Sequence, residues 1–521
     1  MMQPRSMRTT RKTFPLLVAS ALLLSACGSL TPTPYTKDEI KDRVVSDRQK
    51  MFAEQEPVSG PITFHEAAAR ALKYNLDYRL KLMESALSRS LYDVSKFDML
   101  PRLTANAGYA GRSNTGGGFS EGIDLATGKP DGTVSLRPST AVEDNRRLAG
   151  LTLSWNVLDF GVSYYRAQQK ADQILMAEER RRKVVQNVLQ DVRNAYWRAV
   201  GAQRLIGEVN SLIDRTHKAL EAAKMAEDQG LLPRLQALSY QRALLDAVSL
   251  MNLRRQDLEL ARAELAALMS LPPGTPMVLA DTEEPIVSTL PNDTETLERM
   301  ALERRPEIME EWYRKRVTAT DIKIAKAQVW PNLSLEAGPL YDSNKYLFNN
   351  NWAEVGLRLS FNLIKLLQWP ALDQAQADQE QTDDTRRMGL SMAVLTQVHV
   401  GKQRYELSLS ELKFAEEIMR VDGRLLEYAK AAASTSVDSE LEVIRAEARS
   451  LLARYQRQAA YSNAQAAWGR LYNSVGLDVM PDSIASHDVK TLAAEIKRTM
   501  ADWETAGLRA PEAPANPKAP S

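Results

Sequence analysis

The sequence predicts a membrane α+β fold with an internal duplication, in which four amphipathic β-strands are attached to unusually long α-helices. The duplication is visible because residues 151–271 align with residues 357–477 at a constant offset of 206, without a gap. The strands are indicated by four segments in which apolar and polar residues alternate. The helices are indicated by a proline-free run from Tyr164 to Gln229, which would extend about 99 Å. No compact globular domain requires a helix of that length.

Residues 1–26 are predicted to be a secretory signal peptide rather than a membrane span. Basic residues precede a short apolar stretch that ends in Leu24-Ser25-Ala26-Cys27, which resembles a bacterial lipobox. We therefore expect the Cys27 thiol to be acylated and to begin the mature chain. The resemblance to lipoprotein sorting signals implies that Gly28, in place of an aspartate, favours the outer membrane over retention in the inner one. The alternative is a lone buried cysteine behind an ordinary signal sequence.

The first repeat follows an N-terminal extension over residues 27–60. It covers residues 61–271, and its predicted elements are a helix over about 62–99, strands at about 102–111 and 148–158, and a helical hairpin over 164–270. Between the strands, Arg112 to Arg147 is rich in turn-forming glycines. Those glycines weakly resemble a phosphate-binding motif, and we interpret the segment as a solvated loop.

The second repeat begins after a proline-rich linker over residues 272–293. It covers residues 294–480, with strands predicted at about 332–341 and 353–363 and a helical hairpin over 371–475. Residues 481–521 form a C-terminal segment whose Ala- and Pro-rich tail, after about Thr505, is predicted to be disordered.

The first long helix carries a coiled-coil stripe that needs a partner. Its apolar positions follow a 4-3-4-3 spacing from Val188 to Ile213, and a softer version runs from Val394 to Met419 in the second repeat. The returning helix, about Leu235 to Met269, is about half as long. We expect it to stack end to end with the 62–99 helix, so that both cover the long helix.

Composition and motifs argue against an enzyme, a metal protein or a nucleic-acid binder. The 67 basic and 66 acidic residues leave a net charge of +1, so nucleic acid is not an expected partner. Four histidines lie far apart without metal-ligand spacing, and there is no Gly-x-Ser-x-Gly nucleophile motif. We expect no catalytic residue, no metal site and no cofactor.

Four strands leave a membrane sheet unfinished. An open sheet would leave unpaired backbone groups in lipid at a cost of several kcal/mol each, so closure requires strands from other copies of the chain. Strands of nine or ten residues have the length that a tilted bilayer-spanning strand needs. The alternation alone fits a soluble, half-buried sheet equally well, and the lipobox and the long helices beside each strand pair favour the membrane.

The sequence resembles the TolC-like outer-membrane efflux proteins, lipoprotein type, over about residues 60 to 480. The resemblance lies in the duplicated plan, in Ala67 to Asn75, in Ala301 to Ile308, and in the strand-opening prolines Pro101 and Pro331. It implies a homotrimer whose twelve strands form an outer-membrane β-barrel, continued by a long periplasmic α-helical coiled-coil barrel. It also implies passive conduction in tripartite efflux or type I secretion, with a periplasmic adaptor protein and an inner-membrane pump or export ATPase as partners.

The same resemblance assigns roles to the helical hairpin tips. It implies that the tips contact the adaptor, through Gly230, Leu231 and Leu232 at the first and Ser436 and Val437 at the second. Family members carry acidic residues at a periplasmic gate; Glu442 matches one, whereas Gln236 and Arg445 stand at other matching positions. Nearby alternatives complete the gate candidates, which are Asp228, Asp438, Glu440, Glu442 and Arg445. Surface charges without a gating role remain the competing interpretation.

The sequence is also compatible with a second class of function. A non-conducting coiled-coil envelope lipoprotein, either a spacer or a periplasmic adaptor, would also explain the lipobox and the helices. It does not explain why four alternating strands are duplicated with them.

Overall fold

The computed structural model of the chain describes residues 33–53, 55–231, 233–272, 274–282, 293–433, 439–478 and 488–506. Cys27 and the predicted signal peptide lie outside the described residues. Contacts divide the chain into two compact units, residues 1–55 and 56–521. The smaller unit contains helix α1 (Lys37–Phe52), which opens with a capping box between Thr36 and Glu39.

The larger unit repeats one plan twice: two consecutive helices, a strand, a second strand and a helical hairpin. The first copy contains α2 (Phe64–Tyr74), α3 (Leu76–Phe97), β1 (Arg102–Gly111), β4 (Asn145–Asn156), α4 (Val157–Asp228) and α5 (Arg234–Leu268), with β2 (Glu121–Ile123) and β3 (Pro130–Val134) between β1 and β4. The second contains α6 (Thr294–Arg304), α7 (Pro306–Ala327), β5 (Asn332–Asp342), β6 (Asn351–Ser360), a 3-10 turn (Leu363–Gln368), α8 (Trp369–Ala433) and α9 (Ser439–Ser474). Helix α10 (Val489–Ala506) follows.

The four long strands form one antiparallel sheet in the order β1-β4-β5-β6. The two repeats therefore join at the β4–β5 pair. The register of the sheet places apolar residues of neighbouring strands opposite one another, as in the row Leu103, Leu153, Ala337 and Val355 across all four strands. Directly opposed residues point to the same face of a sheet, so one face is continuously apolar. The prediction of four amphipathic strands is confirmed.

The helices form four columns in the same order as the strands. The first column consists of α3 and α5, the second of α4, the third of α7 and α9, and the fourth of α8, and each packs against the next. Helix α4 is therefore covered along its length by shorter helices stacked in pairs. Its predicted coiled-coil stripe is buried, with Val192 and Ala199 fully inaccessible to solvent. In the described part of the chain, no helix has both the length and the apolar character needed to cross a membrane.

The predicted single helix over residues 62–99 is wrong, because the chain turns a corner at Asn75. Asn75 has extended dihedral angles (φ −62°, ψ 123°), and its side-chain oxygen accepts a hydrogen bond from the Tyr78 backbone amide at 3.0 Å. It thus ends α2 and caps α3. The second repeat turns at the corresponding position, Arg305, where Pro306 disfavours helical geometry in the residue before it. Only α3 belongs to the first column.

Two other elements differ from the sequence-based expectation, and a third lies in a segment for which no element was predicted. Helix α4 begins at Val157, inside the predicted strand, because the Asn156 side chain caps its first turn. The predicted loop contains the β2–β3 hairpin. The C-terminal segment contains α10, whose apolar residues Leu492 and Ile496 are buried. Residues 507–521 lie outside the described residues.

Helices α2, α6 and α10 pack on one face of the columns at mid-height, and we call them the belt. The Phe64 ring of α2 stacks on the Trp197 ring of α4, with ring centroids 6.2 Å apart. Trp503 of α10 lies against Tyr472 of α9, with centroids 5.2 Å apart. The largest fully buried aromatic residue, Trp197, also contacts Tyr461 of α9. The belt therefore ties the columns of both repeats together.

Candidate functional site

The first hairpin tip is a tight turn that glycine makes possible. Gly230 has a positive φ of 66°, a conformation that costs other residues roughly 1–2 kcal/mol. The Gly230 amide donates to the Glu227 carbonyl at 2.9 Å, and the Leu231 amide donates to the Ala226 carbonyl at 2.9 Å. This pair of bonds is a Schellman motif, which satisfies the last carbonyls of α4. Leu231 is left 68% exposed at the tip.

The second tip is described only in part. Ser436, Val437 and Asp438 lie outside the described residues, as does Leu232 of the first tip, and Glu440 is described only as a residue of α9.

Two gate candidates from the second tip are paired with each other. Glu442 and Arg445 form an ion pair on α9, with the Nη1 and Oε1 atoms 2.8 Å apart. Asp228 is exposed at the end of α4. The Glu442 carboxylate is therefore partly compensated by Arg445.

Above the tips, polar contacts tie three columns together. The Glu447 carboxylate of α9 contacts Arg215 of α4 and lies 3.3 Å from the Lys430 ammonium of α8. Further up, the Tyr455 hydroxyl of α9 donates to the Asp257 carboxylate of α5 at 3.1 Å. Burial raises the pKa of Tyr455, so its hydroxyl stays protonated as a donor. These contacts link α5 and α9 across α4.

The sheet has two unpaired edges and an uncovered apolar face. Strands β1 and β6 are outermost, and within the described residues neither has a partner on its outer side. On the apolar face of β6, Val355, Leu357 and Leu359 are 69–75% exposed. Unpaired edges and exposed apolar rows are the features that a soluble monomer avoids.

The outer columns carry exposed apolar stripes on opposite sides of the chain. On α8, exposed apolar residues follow a 4-3-4-3 spacing that the sequence analysis missed, namely Phe414, Ile418, Val421, Leu425 and Tyr428. On the first column, α3 exposes Leu80, Met83 and Leu87, and α5 exposes Leu238, Leu245, Leu253 and Leu260. The 4-3-4-3 spacing of these residues is a sequence signal from which the α8 stripe could have been predicted.

The histidines of the described region serve packing and surface roles. His65 of α2 lies beside α10, and burial lowers its pKa to about 4, helped by repulsion from Arg193 and Lys497. His399 of α8 is exposed and bonded to Glu298 of α6 at 2.6 Å. Among the residues with described positions, no group of three or more possible metal ligands is found.

Solved structures with the same fold include outer-membrane channels. The Campylobacter jejuni CmeC outer membrane channel shares 13% identity at a TM-score of 0.60, covering 91% of this chain and 98% of that chain. The open state of the Neisseria gonorrhoeae MtrE outer membrane channel shares 17% identity at a TM-score of 0.60, covering 81% and 93%. A membrane protein from Pseudomonas aeruginosa shares 18% identity at a TM-score of 0.60, covering 79% and 90%. At these identities the similarity establishes the fold alone.

The sequence itself matches a protein family over most of its length. The outer membrane efflux protein profile matches residues 69–270 and 297–477, which together include both repeats. No curated protein sequence matches the chain. The chain belongs to the outer membrane efflux protein family, and its role is that of an outer-membrane efflux channel rather than an enzyme.

Proposed function

We propose that three copies of this chain close into one duct that conducts solutes passively through the periplasm and the outer membrane. The observation that carries the proposal is the pair of unpaired sheet edges at β1 and β6. Four antiparallel strands place β1 and β6 in opposite directions, so β6 of one copy can pair antiparallel with β1 of the next. This head-to-tail contact generates a ring. The number three rests on the family resemblance and gives twelve strands.

The exposed helix stripes support the same head-to-tail contact. The α8 stripe lies on the fourth column and the α3/α5 stripe on the first. The same head-to-tail contact, repeated around the ring, would therefore bury both stripes. Twelve columns spaced about 10 Å apart would form a ring roughly 38 Å across between helix axes. Helix α4, with 72 residues, would make the tunnel about 108 Å long.

The position of the belt supports a choice of which face of the columns would line the tunnel. Three belt helices from each of three copies would fill a bore of this width, so the belt belongs on the outside. The lining is then the opposite face of the columns. In the sheet, the apolar face would contact lipid and the polar face would line the barrel.

The remaining assignments are proposals that rest on the sequence resemblances rather than on this arrangement. Lipidation of Cys27 would add an anchor in the outer membrane. The hairpin tips, including Gly230, Leu231, Leu232, Ser436 and Val437, would meet a periplasmic adaptor that couples the duct to an inner-membrane pump or export ATPase. Charged residues near the tips, Asp228, Asp438, Glu440, Glu442 and Arg445, would narrow the resting entrance.

The α8 stripe provides the test of ring formation. We expect Phe414→Asp to reduce the yield of trimers in detergent and of ion-conducting channels in planar bilayers, because it buries a charge between copies. The control, Lys413→Asp, places the same residue at an exposed position of the same helix. A wild-type chain that is monomeric, extractable without detergent and non-conducting would favour the spacer lipoprotein instead.

The adaptor contact has a separate test. A photo-crosslinker at Leu231 should capture a periplasmic protein, whereas the same crosslinker at Leu125, in the fully exposed β2–β3 segment, should not. Equal capture at both positions would remove the tips from the adaptor interface.

A further inference from the structure

A cavity of about 660 Å³ lies between α4, α8 and α9 at the height of the belt. We propose that it is a binding site for anionic solutes, carboxylates or phosphates, on their way through the duct. This inference rests on the proposed function, because it places the site in the tunnel wall. Its volume lies within the range of pockets that hold small-molecule ligands.

The cavity lies on the face of the columns opposite to the belt. On α8 it is lined by Gln397 and Arg404, whereas His399 and Lys402 of the same helix bond to α6. On α9 it is lined by Asn463, Ala467 and Arg470, whereas Tyr472 faces α10. With the belt outside, the cavity opens into the tunnel.

The charges in the lining favour anions. Three arginines, Arg305, Arg404 and Arg470, line the cavity, and Glu411 is the one carboxylate in the lining. The remaining polar wall is rich in carboxamides, which are Asn187, Gln190, Asn194, Gln397, Asn463 and Asn473. Guanidinium groups bind carboxylates and phosphates through paired hydrogen bonds, and amides add neutral donors.

The three arginines differ in how far their charge is already satisfied. Arg305 is fixed at the wall, because its Nε and Nη2 atoms donate to the Glu307 carboxylate at 3.2 and 3.1 Å and its Nη1 atom contacts Gln397. Arg470 is exposed and is attracted by Asp191 of α4. Arg404 is exposed and makes no ion pair within the described part of the chain.

The Arg404 guanidinium and the carboxamides that face the cavity together define the ligand. Gln190 belongs to the wall, because its Nε2 atom donates to the Ala466 carbonyl at 2.8 Å and its side-chain oxygen is buried against Gly469 of α9. The chemistry fits an anion better than a hydrophobic cation. In a ring of three copies, the site would be repeated three times at one level.

The test uses the full-length protein purified in detergent, with inorganic pyrophosphate and citrate as separate probes. Calorimetry should detect binding of both probes to the wild type, and the double variant Arg404→Gln/Arg470→Gln should bind them at least tenfold more weakly. The control, Arg424→Gln, removes one positive charge by the same substitution at an exposed position of α8 outside the cavity lining. Binding that is absent from the wild type, or unchanged in the double variant, overturns the inference whether or not the protein conducts.

Channel recordings separate this inference from the proposed duct. In planar bilayers, pyrophosphate should reduce the current of the wild type and of Arg424→Gln, and the concentration for half-block should rise at least tenfold in the double variant. Channels that conduct but show equal block in all three proteins would overturn the anion site alone. A protein that binds both probes but forms no channel would overturn the duct and leave the binding site standing.

Discussion

Gly338 is the position at which one added methyl group should disturb the sheet most. A Cβ atom built on Gly338 would overlap the Leu151 carbonyl oxygen, and it would lie 2.9 Å from the Leu151 carbonyl carbon and 3.1 Å from the Thr152 Cα. All three atoms belong to the backbone of the neighbouring strand β4, so no side-chain rotation relieves the contact. We predict that Gly338→Ala weakens the β4–β5 pairing, which joins the two repeats.

The size of the effect follows from the distances. The closest of the three atoms, the Leu151 carbonyl oxygen, lies 1.8 Å from the Cβ position, whereas a carbon–oxygen contact needs about 3.3 Å, so the strands must separate locally by about 1.5 Å. That shift would stretch a hydrogen bond of about 2.9 Å to about 4.4 Å, outside the favourable range. Losing about two ladder bonds costs about 2 kcal/mol, and residual overpacking adds about 1 kcal/mol. The expected loss is about 3 kcal/mol, or roughly a hundredfold in the local opening equilibrium.

Hydrogen exchange measured by mass spectrometry on the detergent-solubilised protein reports this opening directly. Backbone amides of β4 and β5 should exchange roughly a hundredfold faster in Gly338→Ala than in the wild type. Gly356→Ala is the matched control, because Gly356 lies on the same face of the sheet in β6 and its Cβ would meet nothing within 4 Å. Equal exchange in the two variants would refute the close-approach argument.

Two further predictions concern the gate and the belt. Glu442→Ala should raise single-channel conductance in planar bilayers, and unchanged conductance would remove Glu442 from the gate. His65 has a pKa of about 4 in the folded chain against 6.5 when unfolded. Its contribution to the free energy of unfolding is therefore complete above pH 6.5 and is lost as the pH falls toward 4. That loss is at most about 3 kcal/mol, since the ring is partly exposed. His65→Gln should therefore flatten the decline of thermal stability over this pH range, and an identical decline would contradict a buried neutral His65.

Local pattern was enough to predict the repeating elements of this chain. The alternation from Leu103 to Tyr109 has the two-residue period of a strand. In the structure this segment forms a strand, and the strand that pairs with it has the same alternation. The turn at Gly230 was also predictable, since a glycine followed by a proline at position 233 ends a helix and reverses the chain. Both signals lie within a few residues of the feature that they specify.

The corner at Asn75 shows where local pattern gave the wrong result. The segment Ala67 to Asn75 has helical composition and continues into another helical run, so periodicity alone favoured one helix. The structure ends α2 there because its face, including Ala68 and Ala71, is fully buried in a cluster with α10 and the second column, which requires a change of direction. The asparagine was a possible cap, but only packing decides whether a possible cap is used.

The duplication, the four amphipathic strands, the long helices and the turn at Gly230 can all be predicted from local sequence, because each depends on the spacing of neighbouring residues. Three features depend instead on long-range packing: the repeats join at β4 and β5, a belt covers one face of the columns, and Arg305, Arg404 and Arg470 line one cavity. These three arginines are separated by up to 165 positions in the chain, and no periodicity relates them. Their proximity depends on how whole helices pack, which is set by the summed burial of many side chains rather than by any local motif.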